Sequence, residues 1–590
     1  MRPTKQTELS RECARIETSG WFTPSTLKKP NLAWYAILFV FFYRLFQCVY
    51  VSTVESPDEW WQSSEIAYYM AYGKGHLPWE WHYGLRSVVF PGFLAIPYFL
   101  LKQSGLDTTW AVWFVSRLQQ ALIMTGIDIC VFNIGAVLDV ALMRSILEKE
   151  KEIETEKNEP GPFILLTLKD VLESRRQYGS VSSFALYLSL SNWYMIFAGV
   201  RVYGNVVEAL LFLLTLQQQN YVRFLLFAGL ATAFRVTASI VIIPLFFLHV
   251  FRALRGRGII KGVEYILFWG LCLLVVIFGA LVLCDSLFYK RLIITPLAFA
   301  QFNVIQNASQ LFGKQPWYYY FFPCLPLLLG PHILFFISAP WVIWRQRECK
   351  VALWSLIGLL CAVLWTMCCY SLIDHKENRF IFPVLPLCFV IIAFVLSQGY
   401  FKYRVVRRLH RSFILFNLLM VFFTCCLYRR GPLDVMEEVR NGPLVRHMDI
   451  ISTCYTTPGY SYMHGKVKQL RIIDCPVELD KDTGLPALTE DVMFRRYPKE
   501  YILWKYDGID GFNRSNKDEN AKADELERTV KPKSAFYPDV MVMFRYTAQE
   551  IKEPFLFRHG YRLYRSFFHA PFSLEPYEDS YIEMWVRREV

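Results

Sequence analysis

Residues 353–396 read LWSLIGLLCAVLWTMCCYSLIDHKENRFIFPVLPLCFVIIAFVL, two apolar runs separated by a knot of polar and charged residues from Asp374 to Arg379. The flanking runs, Leu353 to Leu372 and Ile381 to Leu396, approach the length that crosses about 30 Å of hydrocarbon. Comparable runs recur at Leu32 to Val54, Ser182 to Val200, Val263 to Leu283 and Phe413 to Leu427. Lipid tolerates only a backbone that satisfies its own hydrogen bonds, so each run is expected to be helical. The whole chain agrees with this, since 54% hydrophobic residues, 19% charged residues and a mean hydropathy of +0.26 over 590 residues are too apolar for an ordinary soluble domain. Buried core helices of a large soluble protein would not need so many long apolar runs. Between Phe90 and Ala141 the apolar pattern is interrupted by Lys102, Asp107 and Arg117, which leaves the number of passes there open.

The net charge of +12 would suit a nucleic-acid or anionic partner, but its placement gives it another meaning. Basic residues collect before the first run (Arg2, Lys5, Arg11, Arg15, Lys28, Lys29) and in three short loops: Arg252 to Lys261, Arg345 to Lys350, and Lys402 to Arg411. The positive-inside rule puts all four clusters in the cytosol. The segments around Ser56, Asp285 and Lys376, and everything after Leu427, then face the opposite, luminal side. Leu32 to Val54 is long enough to remain as a signal anchor. Most of the 15 cysteines lie in apolar runs, where they act as small hydrophobes, and no paired metal-ligand spacing is present. Cys454 and Cys475 fall inside the luminal tail, where a disulfide is open to them.

These features divide the chain into a cytosolic tail (1–31), a multi-spanning catalytic domain (32–430) and a C-terminal luminal domain (431–590). Within the second, residues 55–87 form the first luminal loop and residues 144–178, rich in Glu and Lys, a cytosolic insertion. After Leu427 long apolar runs vanish, and strand-like stretches such as Val540 to Phe544 and Tyr581 to Val586 indicate mixed α and β structure. The polar stretch Asp507 to Lys533 reads as a mobile loop. Asn307 and Asn513 head glycosylation sequons that face the lumen on this topology.

Chemistry concentrates in four places. The first luminal loop carries Asp58, Glu59 and Glu65 among aromatics, then Trp79-Glu80-Trp81 and Leu85-Arg86-Ser87. Asp58 and Glu65 are seven residues apart, two helical turns, so a helix starting near Pro57 would put both on one face. Carboxyls in an aromatic-walled cleft suit proton transfer, and Trp60, Gln62, Trp79 and Trp81 suit sugar contact; an interfacial amphipathic helix with solvated carboxylates accounts for the same residues equally well. The second place is the Asp374 to Phe380 knot, where His375, Lys376 and Arg379 at a membrane surface suit a lipid-linked phosphate. The third is Asp285, Ser286 and Tyr289 with Phe312 to Tyr318, including Trp317. The fourth is Arg201, Asn205 and Glu208 on one helical face, with Arg235 inside an apolar run, where ionisable groups default to pairing or function.

Pro57-Asp58-Glu59, Leu85-Arg86-Ser87, Arg201 with Asn205 and Glu208, Phe312-Gly313 with Pro316-Trp317, and above all His375-Lys376-Glu377-Asn378-Arg379-Phe380 resemble, in this order, the motifs of the Alg and PIG mannosyltransferases of the GT-C superfamily. Trp79-Glu80-Trp81 and the tail stretch Cys454 to Ser461 are most similar to the PIG-B type, which adds the third mannose of the glycosylphosphatidylinositol anchor. Departures are Ser56 where the family usually has His, Arg235-Val236-Thr237 for Arg-Pro-Thr, and Tyr455 after the tail cysteine. The resemblance implies an all-α polytopic GT-C fold with luminal loop helices in the endoplasmic reticulum membrane. It implies transfer of mannose from dolichol-phosphate mannose to a lipid-linked Man2-GlcN-PI acceptor, with inversion to an α-1,2 product, no cofactor and no metal. Asp58 is then the expected base, with Glu59 the second choice; His375, Lys376, Arg379 and Arg86 hold the leaving phosphate; and Trp60, Gln62, Glu65, Trp79, Glu80, Trp81, Arg201, Asn205, Glu208 and Trp317 meet sugar or acceptor. The alternatives are sister enzymes of the N-glycan precursor or the fourth anchor mannose and, from another class, a lipid or solute transporter or scramblase with Arg44, Arg201 and Arg235 lining its path.

Overall fold

The computed structural model describes residues 32–156, 180–306, 308, 313–345, 349–452, 454–473, 475, 490–508, 536–572 and 578–587. The 1–31 tail, the rest of the 144–178 insertion, Asn307, Asn513 and nearly all of the Asp507–Lys533 stretch lie outside them. Among the described residues seven helices are long and apolar enough to cross a membrane: Thr109–Ser145, Ala238–Arg257, Ile259–Tyr289, Tyr320–Arg345, Lys350–Ser371, Asn378–Gly399 and Arg404–Leu427. The chain is thus an all-α multi-pass membrane protein with a smaller mixed α/β domain at its C-terminal end.

The interrupted region between Phe90 and Ala141 resolves into helix Val89–Ser104 and a 48-residue helix, Thr109–Glu156, whose far end runs into the insertion. Two apolar runs are not single long helices. The first is a 17-residue helix, Trp34–Tyr50. The run from Ser182 to Val200 is broken at Asn192, whose side-chain oxygen accepts the amides of Tyr194 (3.0 Å) and Met195 (3.1 Å) and so caps a second short helix, Trp193–Phe197. Two spans, Ala238–Arg257 and Tyr320–Arg345, were not among the apolar runs read from the sequence. Pro244 in one, and Pro323 and Pro340 in the other, interrupt patterns that neighbouring helices nevertheless accommodate.

Helices Trp34–Tyr50, Thr109–Glu156 and Val181–Ser191 meet at a fully buried ion pair. Arg44 donates to both oxygens of Asp128 (2.7 and 2.8 Å) and to the Ser189 carbonyl (3.0 Å), and the Ser189 hydroxyl also donates to Asp128 (2.7 Å). Gly135 lets the last two helices touch: a Cβ there would stand 2.6 Å from the Ser182 Cα. Along the chain, the basic clusters after Arg252, after Arg345 and at Lys402–Arg411 fall at one set of helix ends. The Asp374–Phe380 knot and the entry to the C-terminal domain fall at the other.

The C-terminal sheet has the order β2-β1-β3-β5-β4, with β1 Val445–Ile451, β2 Val467–Ile472, β3 Val540–Phe544, β4 Tyr561–Phe568 and β5 Tyr581–Arg587. The first three run parallel, and β5 is antiparallel to both β3 and β4. Alternation sorts the strands' side chains: Met448, Ile450, Val540, Val542 and Met584 pack with Leu433 and Met436 of helix Gly431–Asn441, whereas Met541, Met543 and Trp585 pack with Tyr501, Ile551 and Phe555. Cys454 and Cys475 form a disulfide.

Candidate active site

The loop after Tyr50 turns at Pro57 into a helical rod that runs from Asp58 to Tyr72. The rod is not a uniform α-helix. At Trp60–Ser64 the turns widen, with the Glu65 amide bonded to the Trp60 carbonyl five residues back. Such a widened turn rotates everything beyond it relative to ideal spacing. Glu65 therefore leaves the face of Asp58, contrary to the two-turn expectation.

Asp58 opens into a cleft that also takes in Gln62, Trp81, Arg86, Asn205, Arg235 and Arg379. Arg379 bridges two carboxylates, donating one nitrogen to Asp58 and pairing its Nε with Glu377 (2.6 Å). His375 extends the chain to Glu377 at 2.9 Å. Burial opposes protonation of His375, but the hydrogen bond and charge of Glu377 outweigh it and lift its pKa above the ordinary histidine value. For Glu377 burial acts upward, and Arg379 and His375 together hold the carboxyl below the usual range. The His375–Glu377 pair is accordingly complete in mild acid and is lost as pH rises through the raised histidine value. Turnover is expected to decline on that alkaline limb and His375→Gln to flatten it; an unaltered pH profile in the variant would remove His375 from the network.

Arg86, also in the lining, is held by both oxygens of Glu80 (2.7 and 3.1 Å), and Gln62 reaches Glu80 at 3.4 Å. Asp285 sets the turn that presents Arg86, accepting from the Val88 amide (2.8 Å), the Ser87 hydroxyl (3.0 Å) and Thr295 (2.5 Å), while the Tyr289 hydroxyl donates to the Arg86 carbonyl (2.8 Å). Arg235, at the end of helix Tyr221–Phe234, pairs with buried Glu208 at 3.0 Å and lines the cleft. Its position in an apolar run and in the Arg235-Val236-Thr237 stretch was a signal; Tyr203 and Phe299, also in the lining, carried none. The Asn205 side-chain nitrogen is buried in this wall without a hydrogen-bond partner among the described residues.

Other residues singled out in the sequence stand elsewhere. Glu59 is buried against Arg201 (2.7 Å), which also donates to the Thr53 carbonyl (2.5 Å); burial pushes the Glu59 carboxyl up and Arg201 opposes the rise. Lys376 is turned away from the cleft lining, donating to the Gln315 carbonyl (3.0 Å) and to that of Ile373. Trp60 packs on Tyr462, Trp79 on Phe302, and Trp317 is exposed beside Tyr318. Glu65 is wholly buried against the C-terminal domain. Among the described residues no group of three or more His, Cys, Asp or Glu side chains is gathered as a metal site.

Residues 35–464 match the Alg9-like mannosyltransferase family. Over 94% of this chain and 100% of its own length, the GPI mannosyltransferase 3 of Trypanosoma brucei brucei is 54% identical. The GPI alpha-1,2-mannosyltransferase 3 of Danio rerio is 28% identical over 94% of this chain and 98% of its own length, and that of Homo sapiens 29% identical over 75% and 73%. Among solved structures, ArnT from Cupriavidus metallidurans bound to undecaprenyl phosphate aligns with a TM-score of 0.45 and 12% identity, over 93% of this chain and 97% of that one. By the match over residues 35–464 and the identity to the trypanosome enzyme, the chain belongs to the Alg9-like mannosyltransferase family and is a glycosyltransferase of the membrane.

Proposed function

We propose that the enzyme adds the third mannose of the glycosylphosphatidylinositol anchor, in α-1,2 linkage, from dolichol-phosphate mannose to the Man2-GlcN-PI precursor. The observation that carries this is the full-length, 54% identity to the trypanosome GPI mannosyltransferase 3. The site lies in the endoplasmic reticulum lumen, with the N-terminal tail cytosolic and the C-terminal domain luminal, an orientation supported by the basic clusters at the opposite helix ends.

Inversion in one displacement needs a base beside the acceptor hydroxyl. Asp58 fills that role: its carboxylate takes the proton as the hydroxyl oxygen bonds to the anomeric carbon, and the bond from that carbon to the phosphate oxygen breaks, releasing dolichyl phosphate. Glu59 is committed to Arg201 and unsuited to it. The three guanidiniums that line the cleft, Arg86, Arg235 and Arg379, hold the departing phosphate, and His375 acts on it through Glu377 and Arg379. Asn205, with its free donor, and Trp81 and Gln62 meet the sugars.

The test is the mannose-labelled glycolipid profile of microsomes from cells deleted for this gene. A two-mannose anchor precursor that accumulates and is cleared by the wild-type chain is the expected result. Normal anchor lipids with truncated dolichol-linked oligosaccharides would move the enzyme to the N-glycan pathway.

A further inference from the structure

The C-terminal domain grips the catalytic rod at the residue the cleft leaves out. Glu65 is fully buried, and its Oε1 accepts from the Gly459 amide (3.0 Å), the Ser461 amide (3.1 Å) and the Ser461 hydroxyl (2.5 Å). Its Oε2 has no hydrogen-bond partner among the described residues. One turn back, the Trp61 indole donates to the Thr457 carbonyl at 3.0 Å, and further along Tyr68 meets His464 at 2.9 Å. Gly459 sits so close that a Cβ on it would stand 2.8 Å from Glu65 Oε2 and 3.0 Å from the Trp61 ring. Burial lifts the Glu65 carboxyl to about 7, against the opposing Ser461 and Gly459 bonds, so at neutral pH a proton on it costs little.

We propose that Glu65 is a positioning residue: its carboxyl locks the Thr457–Ser461 segment of the C-terminal domain onto the rod that carries Asp58 and so fixes Asp58 against Arg379. The rod's other end is held by Glu59 on Arg201, and Arg379 arrives from a different helix. A small rotation of the rod changes the distance from Asp58 to the reacting hydroxyl, and misplacement on that scale costs turnover rather than donor binding. The proposal rests on the mannosyl-transfer function, and a wild-type chain that transferred no mannose would overturn that function instead.

All three contacts to Glu65 use one oxygen as an acceptor, which glutamine reproduces without charge, whereas aspartate keeps the charge and falls one methylene short. In the full-length chain purified in detergent, Glu65→Gln is expected to hold kcat within about twofold of wild type, while Glu65→Asp and Gly459→Ala lose about tenfold to a hundredfold with donor KM unchanged. The proposal is refuted if aspartate preserves turnover and glutamine does not, because a carboxylate charge would then be acting on substrate, or if all three variants turn over like wild type. Should Glu65→Asp or Gly459→Ala fail to fold, Trp61→Phe keeps an aromatic ring beside Tyr455 but removes the indole donor to Thr457 and part of the buried ring. A lower kcat at constant donor KM then supports the clamp, and an unchanged kcat refutes it.

Discussion

Asp58→Asn is expected to lower kcat by about 10²- to 10⁴-fold, the span that a positioned general base contributes, without raising the donor KM. The asymmetry follows from the ion-pair chain. Arg379 divides its charge between Asp58 and Glu377, so on the proposed mechanism donor phosphate would compete with Asp58 for the same guanidinium. Removing the Asp58 charge leaves Arg379 more available to phosphate while the proton acceptor is gone. Mannosyl transfer measured in detergent over a range of donor concentrations separates the two effects. Turnover above a tenth of wild type would take the base role from Asp58, and a sharply raised donor KM would show that Asp58 serves binding. Glu59→Gln is a useful contrast, since its first consequence is a buried Arg201 deprived of its nearest carboxylate partner at 2.7 Å, which weakens the fold around Thr53.

Asp128→Asn is expected to cost about 3–5 kcal/mol of stability, because it leaves the fully buried guanidinium of Arg44 without its counter-charge. Three helices converge on that pair, and no solvent reaches either side chain. The double replacement Arg44→Met with Asp128→Leu removes both charges together and is expected to recover most of the loss, since an apolar pair of similar volume is close to neutral in such a site. Thermal unfolding of the detergent-solubilised chain, run as a double-mutant cycle, measures this. An Asp128→Asn protein that melts with wild type would show that the pair does not hold the helices together.

How far the sequence reached depends on the physics behind each feature. Long apolar runs such as Leu353 to Leu372 announce themselves because lipid admits only apolar, helical segments. Tyr320–Arg345 did not, because Pro323 and Pro340 interrupt it and only neighbouring helices make the interruption tolerable. Strands β3 and β5 show in the sequence as β-rich, apolar stretches. The central strand β1 is disguised by Arg446, His447 and Asp449, the last of which is buried and answered by Arg471 at 2.8 Å and by Tyr506. That answer comes from residues 22 and 57 positions away, beyond any local pattern.

The same division holds at the site. Sequence by itself determined that the chain lives in a membrane, and it put Asp58, Arg86 and the His375–Arg379 knot forward as the candidates for its chemistry, because residue type and order hold that information. Tertiary structure alone decided which charges face the cleft and which are spent on one another. Glu59 and Lys376 look as available in the sequence as Asp58 and Arg379, yet one is consumed by Arg201 and the other by backbone carbonyls. A single widened turn at Trp60–Ser64 sends Glu65 to the C-terminal domain instead of the cleft. Such outcomes depend on burial and on partners that range from a few residues to several hundred away, since in a low-dielectric interior a charged group goes where its partner is, and one-dimensional spacing cannot say where that will be.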